Sequence, residues 1–77
     1  MKITYSPQRN DDGEHDGTYI MSATGLGSIG TTTKFEGPTG QTIKFAFEPN
    51  SSFSHRLTEC EARTMLQLKA KILKQLL

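Results

Sequence analysis

The chain lacks most of the residues and patterns that would announce a chemistry. Its 77 residues hold one cysteine, no tryptophan, three prolines and a net charge of only +1. The single thiol, Cys60, excludes an internal disulfide framework and a multi-thiolate metal centre. Nine basic against eight acidic residues leave no global field to gather nucleic acid or an anionic membrane. No apolar run approaches the ~20 residues of a bilayer-crossing helix, so no membrane role is expected. The opening MKITYSPQRN turns polar after one lysine, unlike a secretory leader, and the expected compartment is the cytoplasm. The length accommodates one small domain, 1–77, that buries only about 60% of its unfolded surface. It excludes a dinucleotide-binding half, a kinase lobe pair or a barrel.

What is present reads as strands followed by a helix. Residues 2–6, 18–24, 31–36 and 41–48 are alternating, β-branched or aromatic, as strands prefer. Gln8–Gly17 is polar and acidic, and reads as a loop. Gly37-Pro38-Thr39-Gly40 fits a three-residue hairpin loop with Gly40 left-handed, which pairs Gly37 with Gln41. That register pairs Phe35 with Ile43 and Thr33 with Phe45. Phe35, Ile43, Phe45 and Phe47 then share one face; Thr32, Lys34, Thr42, Lys44 and Ala46 share the other. Ile3 with Tyr5, and Tyr19 with Met21 and Ala23, extend the apolar face.

A helix is expected over 58–76. Thr58 and Glu61 match a capping box, and Leu57 is placed to staple against Ala62. Glu59 and Glu61 precede Lys69, Lys71 and Lys74 in the order that a helix dipole favours. The fold class expected is therefore α+β: an antiparallel sheet of about four strands with one C-terminal helix packed on one face.

The apolar arc of that helix is wide and has Lys69 near its middle. Met65, Leu68, Ile72 and Leu76 suffice to cover a small sheet. Leu66, Leu73 and Leu77, with Ala62 beside them, form a second seam. The function expected from it is a non-enzymatic protein-binding module acting through the helix surface. Leu66, Leu73 and Leu77 supply apolar contact to a protein partner or a second copy, and Lys69, Lys71 and Lys74 add charge. The rival reading is nucleic-acid binding through Lys2, Lys34 and Lys44 on the polar sheet face, helped by the basic C-terminal part. Residues 1–48 balance at −2 and residues 49–77 at +3.

Three further patterns carry little chemistry. Gly25-Leu26-Gly27-Ser28-Ile29-Gly30 spells a dinucleotide fingerprint, but TTTKFE follows it where a helix is required, so it reads as a hairpin connection. Asn10, Asp11, Asp12, Glu14, His15 and Asp16 cluster oxygen donors without the EF-hand spacing. Cys60 and His55 supply a nucleophile and a base with no identifiable oxyanion donors. No cofactor and no metal are expected.

The order of strands and then a helix opening Thr58-x-x-Glu61-Ala62 loosely resembles the HicB-type antitoxin half-domain. It is also similar to the later strands and final helix of double-stranded RNA-binding domains. The strand motifs of the first are absent, as are the initial helix and the basic start to the last helix of the second. In size and polarity the chain also looks like small inhibitors or regulators of phage or mobile-element type.

Overall fold

The computed structural model describes residues 1–77. Five strands form one antiparallel meander in the order β1-β2-β3-β4-β5: Ile3–Arg9, His15–Ala23, Gly27–Glu36, Thr42–Pro49 and Cys60–Ala62. A short 3-10 turn, Ser51–Phe53, joins β4 to β5, and the helix α1, Met65–Leu76, closes the chain. The α+β class expected from the sequence is correct, with a fifth strand added.

That fifth strand corrects the helix boundary. Residues 60–62 pair with β4, Phe45 opposite Ala62 and Phe47 opposite Cys60, and Ala62 is buried there. Thr58 caps no helix: its N–H and hydroxyl both meet Gln75 Oε1, at 2.8 and 3.1 Å. Thr64 is the N-cap instead, its hydroxyl accepting from the Gln67 N–H at 3.1 Å. Thr64-Met65-Leu66-Gln67 fits the same Thr-x-x-Glu/Gln pattern six residues later. The expected staple fails with the cap, and Leu57 is 1% exposed in the core.

The β3–β4 loop forms as expected. Gly37 N–H donates to Gln41 O at 2.8 Å, and Gly40 is left-handed at φ +84°. The register then changes one step on. Glu36 pairs with Thr42 but Phe35 with Lys44, so Ile43 is an extra residue. One inserted residue exchanges the faces of everything beyond it. Lys34 therefore lies opposite Phe45 and Thr32 opposite Phe47, while Phe35 lies opposite Lys44. The expected grouping of Phe35 and Ile43 with Phe45 and Phe47 is wrong; Phe35 and Ile43 are 43% and 52% exposed.

The helix-facing side gathers Ile3, Met21, Ala23, Ile29, Phe47, Leu57 and Ala62 against Leu68, Ile72 and Leu76. Each large aliphatic side chain removed from water here contributes about 1.5–3 kcal/mol. Gly30 lies beneath the Phe47 ring, where a Cβ would stand 2.7 Å from a ring carbon and collide with the Glu48 carbonyl. Beyond the helix, Tyr19 meets Tyr5 and Phe45 edge-on, with centroids 5.6 and 6.2 Å apart.

The helix packs against β1, β4 and β5. In a flat sheet β1 and β5 would stand about 19 Å apart at four strand spacings, too far for one helix about 10 Å wide to reach both. The sheet therefore curls around α1. Its curvature has a local source, because each of the three long pairings carries a register irregularity.

The segments expected to be loops are shorter than the sequence suggests. Strand pairing extends to Arg9 and resumes at His15, because Asn10 Oδ1 accepts from the N–H groups of Asp12 and Glu14 and stitches a tight turn. The glycine-rich segment is mostly strand, with only Thr24–Leu26 turning.

Candidate functional site

Along α1, Leu68, Ile72 and Leu76 point into the core, with Met65 packed beside them. The expected covering set is thus the observed one. A second stripe follows at helical spacing, with Leu66, Ala70 and Leu73 turned toward the β1 side and Leu77 just past the helix as its C-cap. Leu66 is 77% exposed and Leu77 is 91% exposed, whereas Leu73 is half-buried against the core. Ala62 leaves the seam for β5.

Between this stripe and the start of β1 runs an open groove of about 280 Å³ lined by Met1, Lys2, Ile3, Leu66, Lys69, Ala70 and Leu73. Two amines converge on it, and no carboxylate does. Lys69 pairs with no acid; its Nζ stands 5.7 Å from the centre of the Tyr5 ring. Lys71 and Lys74 lie elsewhere on the helix. Lys71 Nζ donates to the Glu61 carbonyl at 2.6 Å, and Lys74 occupies the last turn, where the dipole favours a cation. The expected six-residue surface is therefore split: Leu66, Lys69 and Leu73 meet at the groove, Lys74 and Leu77 lie at the helix C-terminus outside it, and Lys71 works at the opposite edge.

The lysines expected to share a polar sheet face do not share one. Lys34 projects on the helix side and pairs with Glu36 at 3.1 Å. The hydrogen bond and charge of Glu36 hold its amine above the ordinary lysine value. Lys44 projects on the other side, where it pairs with Glu61 at 2.6 Å and lies 5.2 Å from the Phe35 ring. Lys2 precedes β1 and lines the groove. The extra residue Ile43 separates Lys34 from Lys44, and sequence alternation alone does not reveal it.

A larger depression of about 630 Å³ lies by β3, β4 and β5, lined among others by Glu48, Glu59, Cys60, Glu61 and Lys71. Its charges are of both signs and Lys71 is already engaged, so it presents no convergent set of groups. Cys60 is half-buried; burial raises its thiol above the ordinary value, against the opposing pull of Lys71 and Gln75. Its sulfur faces Gln75 Nε2 at 3.8 Å rather than an imidazole. No cluster of three or more His, Cys, Asp or Glu is arranged to hold a metal ion. No helix is long and apolar enough to cross a membrane.

No family model, curated protein or solved structure matches the chain. Its class is an α+β meander with one packed helix, and the groove between α1 and β1 has the most apolar lining of its surface depressions.

Proposed function

We propose that this chain is a small non-enzymatic protein-binding module whose contact surface is the Leu66–Leu77 stripe of α1 with the adjoining groove. One observation carries the reading: the helix already satisfies its sheet with Leu68, Ile72 and Leu76, yet Leu66 and Leu77 stand exposed on either side of half-buried Leu73. An exposed apolar stripe bordered by cations is a common form of protein contact surface. Lys69 at its centre supplies charge steering, and the leucines supply the anchors. Regulation or inhibition of another protein, of the kind small phage and mobile-element proteins perform, is a role this surface suits.

The test is a pull-down with the full chain near physiological salt, with and without nuclease, repeated with Leu66→Asp and Leu77→Asp. Both positions are exposed, so circular dichroism is expected to stay unchanged while a stoichiometric protein partner disappears. Recovery that vanishes with nuclease and ignores both substitutions would instead indicate nucleic acid as the ligand.

A further inference from the structure

The two ends of β1 carry opposite, uncompensated charge. The chain makes two ion pairs, Lys34 with Glu36 and Lys44 with Glu61. Of the six carboxylates outside those pairs, four crowd the β1–β2 turn: Asp11, Asp12, Glu14 and Asp16, all exposed. At the other end of the strand, Lys2 and Lys69 line the groove and form no ion pair. The seven residues of β1 hold groove and turn about 20 Å apart. The turn therefore does not reach the groove of its own chain.

The turn is rigid before it meets anything. Asn10 N–H donates to Glu14 O and Gly13 N–H to Asn10 O, both at 2.9 Å. Asn10 Oδ1 accepts from the N–H groups of Asp12 and Glu14, and Arg9 donates to the Gly13 carbonyl at 2.9 Å. One guanidinium against four carboxylates leaves residues 9–16 at −3. Backbone groups, Asn10 and Arg9 make these bonds, so the carboxylates of Asp11, Asp12 and Glu14 stay free for a partner. The turn also has an apolar flank: Pro7 lies opposite Tyr19, and the His15 ring meets the Tyr19 ring edge-on with centroids 4.8 Å apart.

We infer that the groove receives the β1–β2 turn of a second copy, so that copies associate head to tail with Asp11 and Asp12 against Lys2 and Lys69. This rests on the binding-module reading and makes the partner the chain itself. Charge complementarity argues for this occupant: the turn holds the chain's largest unpaired negative group, while residues 49–77 balance at +3 and Lys2 adds to them at the groove. Preorganisation favours it too, because a turn already fixed by its own hydrogen bonds loses little freedom on docking. Exposed Leu66 and half-buried Leu73 then meet the Pro7 and His15 flank beside the carboxylates. Each copy commits its turn to one neighbour and its groove to another. Such a contact is heterologous and repeats from copy to copy unless it closes into a ring.

The experiment is sedimentation equilibrium of the full chain up to about 1 mM, at low and at high salt. The average mass is expected to rise above the monomer with concentration, and association to weaken at least tenfold between about 50 and 500 mM salt. Two double variants, Lys2→Glu with Lys69→Glu and Asp11→Lys with Asp12→Lys, are each expected to stay monomeric with unchanged circular dichroism. Their equimolar mixture is expected to form a dimer and stop there, because one groove and one turn remain intact. Leu66→Asp is expected to prevent that dimer when placed in the chain with the reversed turn, whose groove is in use. Placed in the chain with the reversed groove, it is expected to change nothing.

Several results would overturn the inference. A wild-type monomer at every concentration and salt would refute self-association; a pull-down partner still lost with Leu66→Asp would leave the binding-module reading standing. Self-association that survives both pairs of reversals would put the contact on another surface. An equal effect of Leu66→Asp in either chain would reduce the mixed dimer to attraction between oppositely charged variants. A monomeric chain that captures an acidic protein, lost with Lys69→Glu, would make the occupant a different partner. A monomer whose pull-down is also indifferent to Leu66→Asp and Leu77→Asp would refute both readings.

Discussion

At the β5 edge of the sheet, three residues of strand are held from several directions. Lys71 donates to the Glu61 carbonyl, Gln75 accepts from Thr58, and Lys44 pairs with the Glu61 carboxylate across the bare face. At the β1 edge, a seven-residue strand stands unpaired beside exposed Leu66, half-buried Leu73 and two lysines that form no ion pair. Both edges border the same helix, so proximity to α1 does not decide which one is closed. Side-chain chemistry does: α1 turns Lys71 and Gln75 toward β5, and Leu66, Ala70 and Leu73 toward β1. Polar groups that reach backbone satisfy an edge, whereas apolar groups beside one cover it without bonding it. An open strand edge is a hazard that proteins usually blunt. Here the blunting is partial, through Pro7 and the irregular pairing that follows it.

This contrast can be broken at its common support. Leu68 is fully buried under the helix that touches both edges. Leu68→Ala is expected to cost about 2–5 kcal/mol and to speed amide exchange in β1 and β5 together, read by urea denaturation and exchange mass spectrometry. Loss confined to one edge would show that the edges are not coupled through α1. The helix start gives the next effect. Thr64→Ala is expected to cost about 1 kcal/mol by removing the N-cap acceptor. Thr58→Ala should cost less, because the Thr58 N–H keeps its bond to Gln75. The reverse order would return the cap to Thr58.

A smaller effect sharpens the β5 side. The folded Cys60 thiol is raised by burial, so folding favours its protonated form. That contribution is complete below the unfolded-state thiol pKa and is lost as pH rises through the folded one. The melting temperature of the wild type should therefore fall more steeply than that of Cys60→Ser through the alkaline thiol range. Parallel curves would mean that the thiol is not perturbed. The smallest effect belongs to the open edge: Leu66→Asp should change stability by no more than about 0.5 kcal/mol. A large loss there would make Leu66 part of the core.

Much of the architecture is readable along the chain because its causes are local. Gly37-Pro38-Thr39-Gly40 demands its turn through a proline and a left-handed glycine, and it forms. Alternation marks β1 to β4, and the helical spacing of Leu68, Ile72 and Leu76 marks the buried side of α1. Leu66 and Leu77 stand out as surplus once that covering set is counted. The groove is not readable in the same way, because Met1, Lys2 and Ile3 reach Leu66 and Leu73 only through the curl of the sheet.

Where the reading departs from the structure, the cause lies between distant residues. Thr58-Glu59-Cys60-Glu61 has sound local helix chemistry, but the backbone of Cys60–Ala62 finds a ladder on β4, and Ala62 finds the core. Tertiary pairing outweighs a cap worth about 1 kcal/mol. The extra residue at Ile43 is likewise invisible to alternation, yet it sends Lys34 and Lys44 to opposite sides of the sheet. By itself the sequence determined the succession of strands, the β3–β4 turn and the helix's inner stripe, since backbone preference and side-chain period act over a few residues. Long-range pairing set which face each β3–β4 side chain took, where the helix began and which sheet edge was left without a partner strand. Those outcomes depend on a one-residue bulge and on strand pairing between residues far apart in the chain.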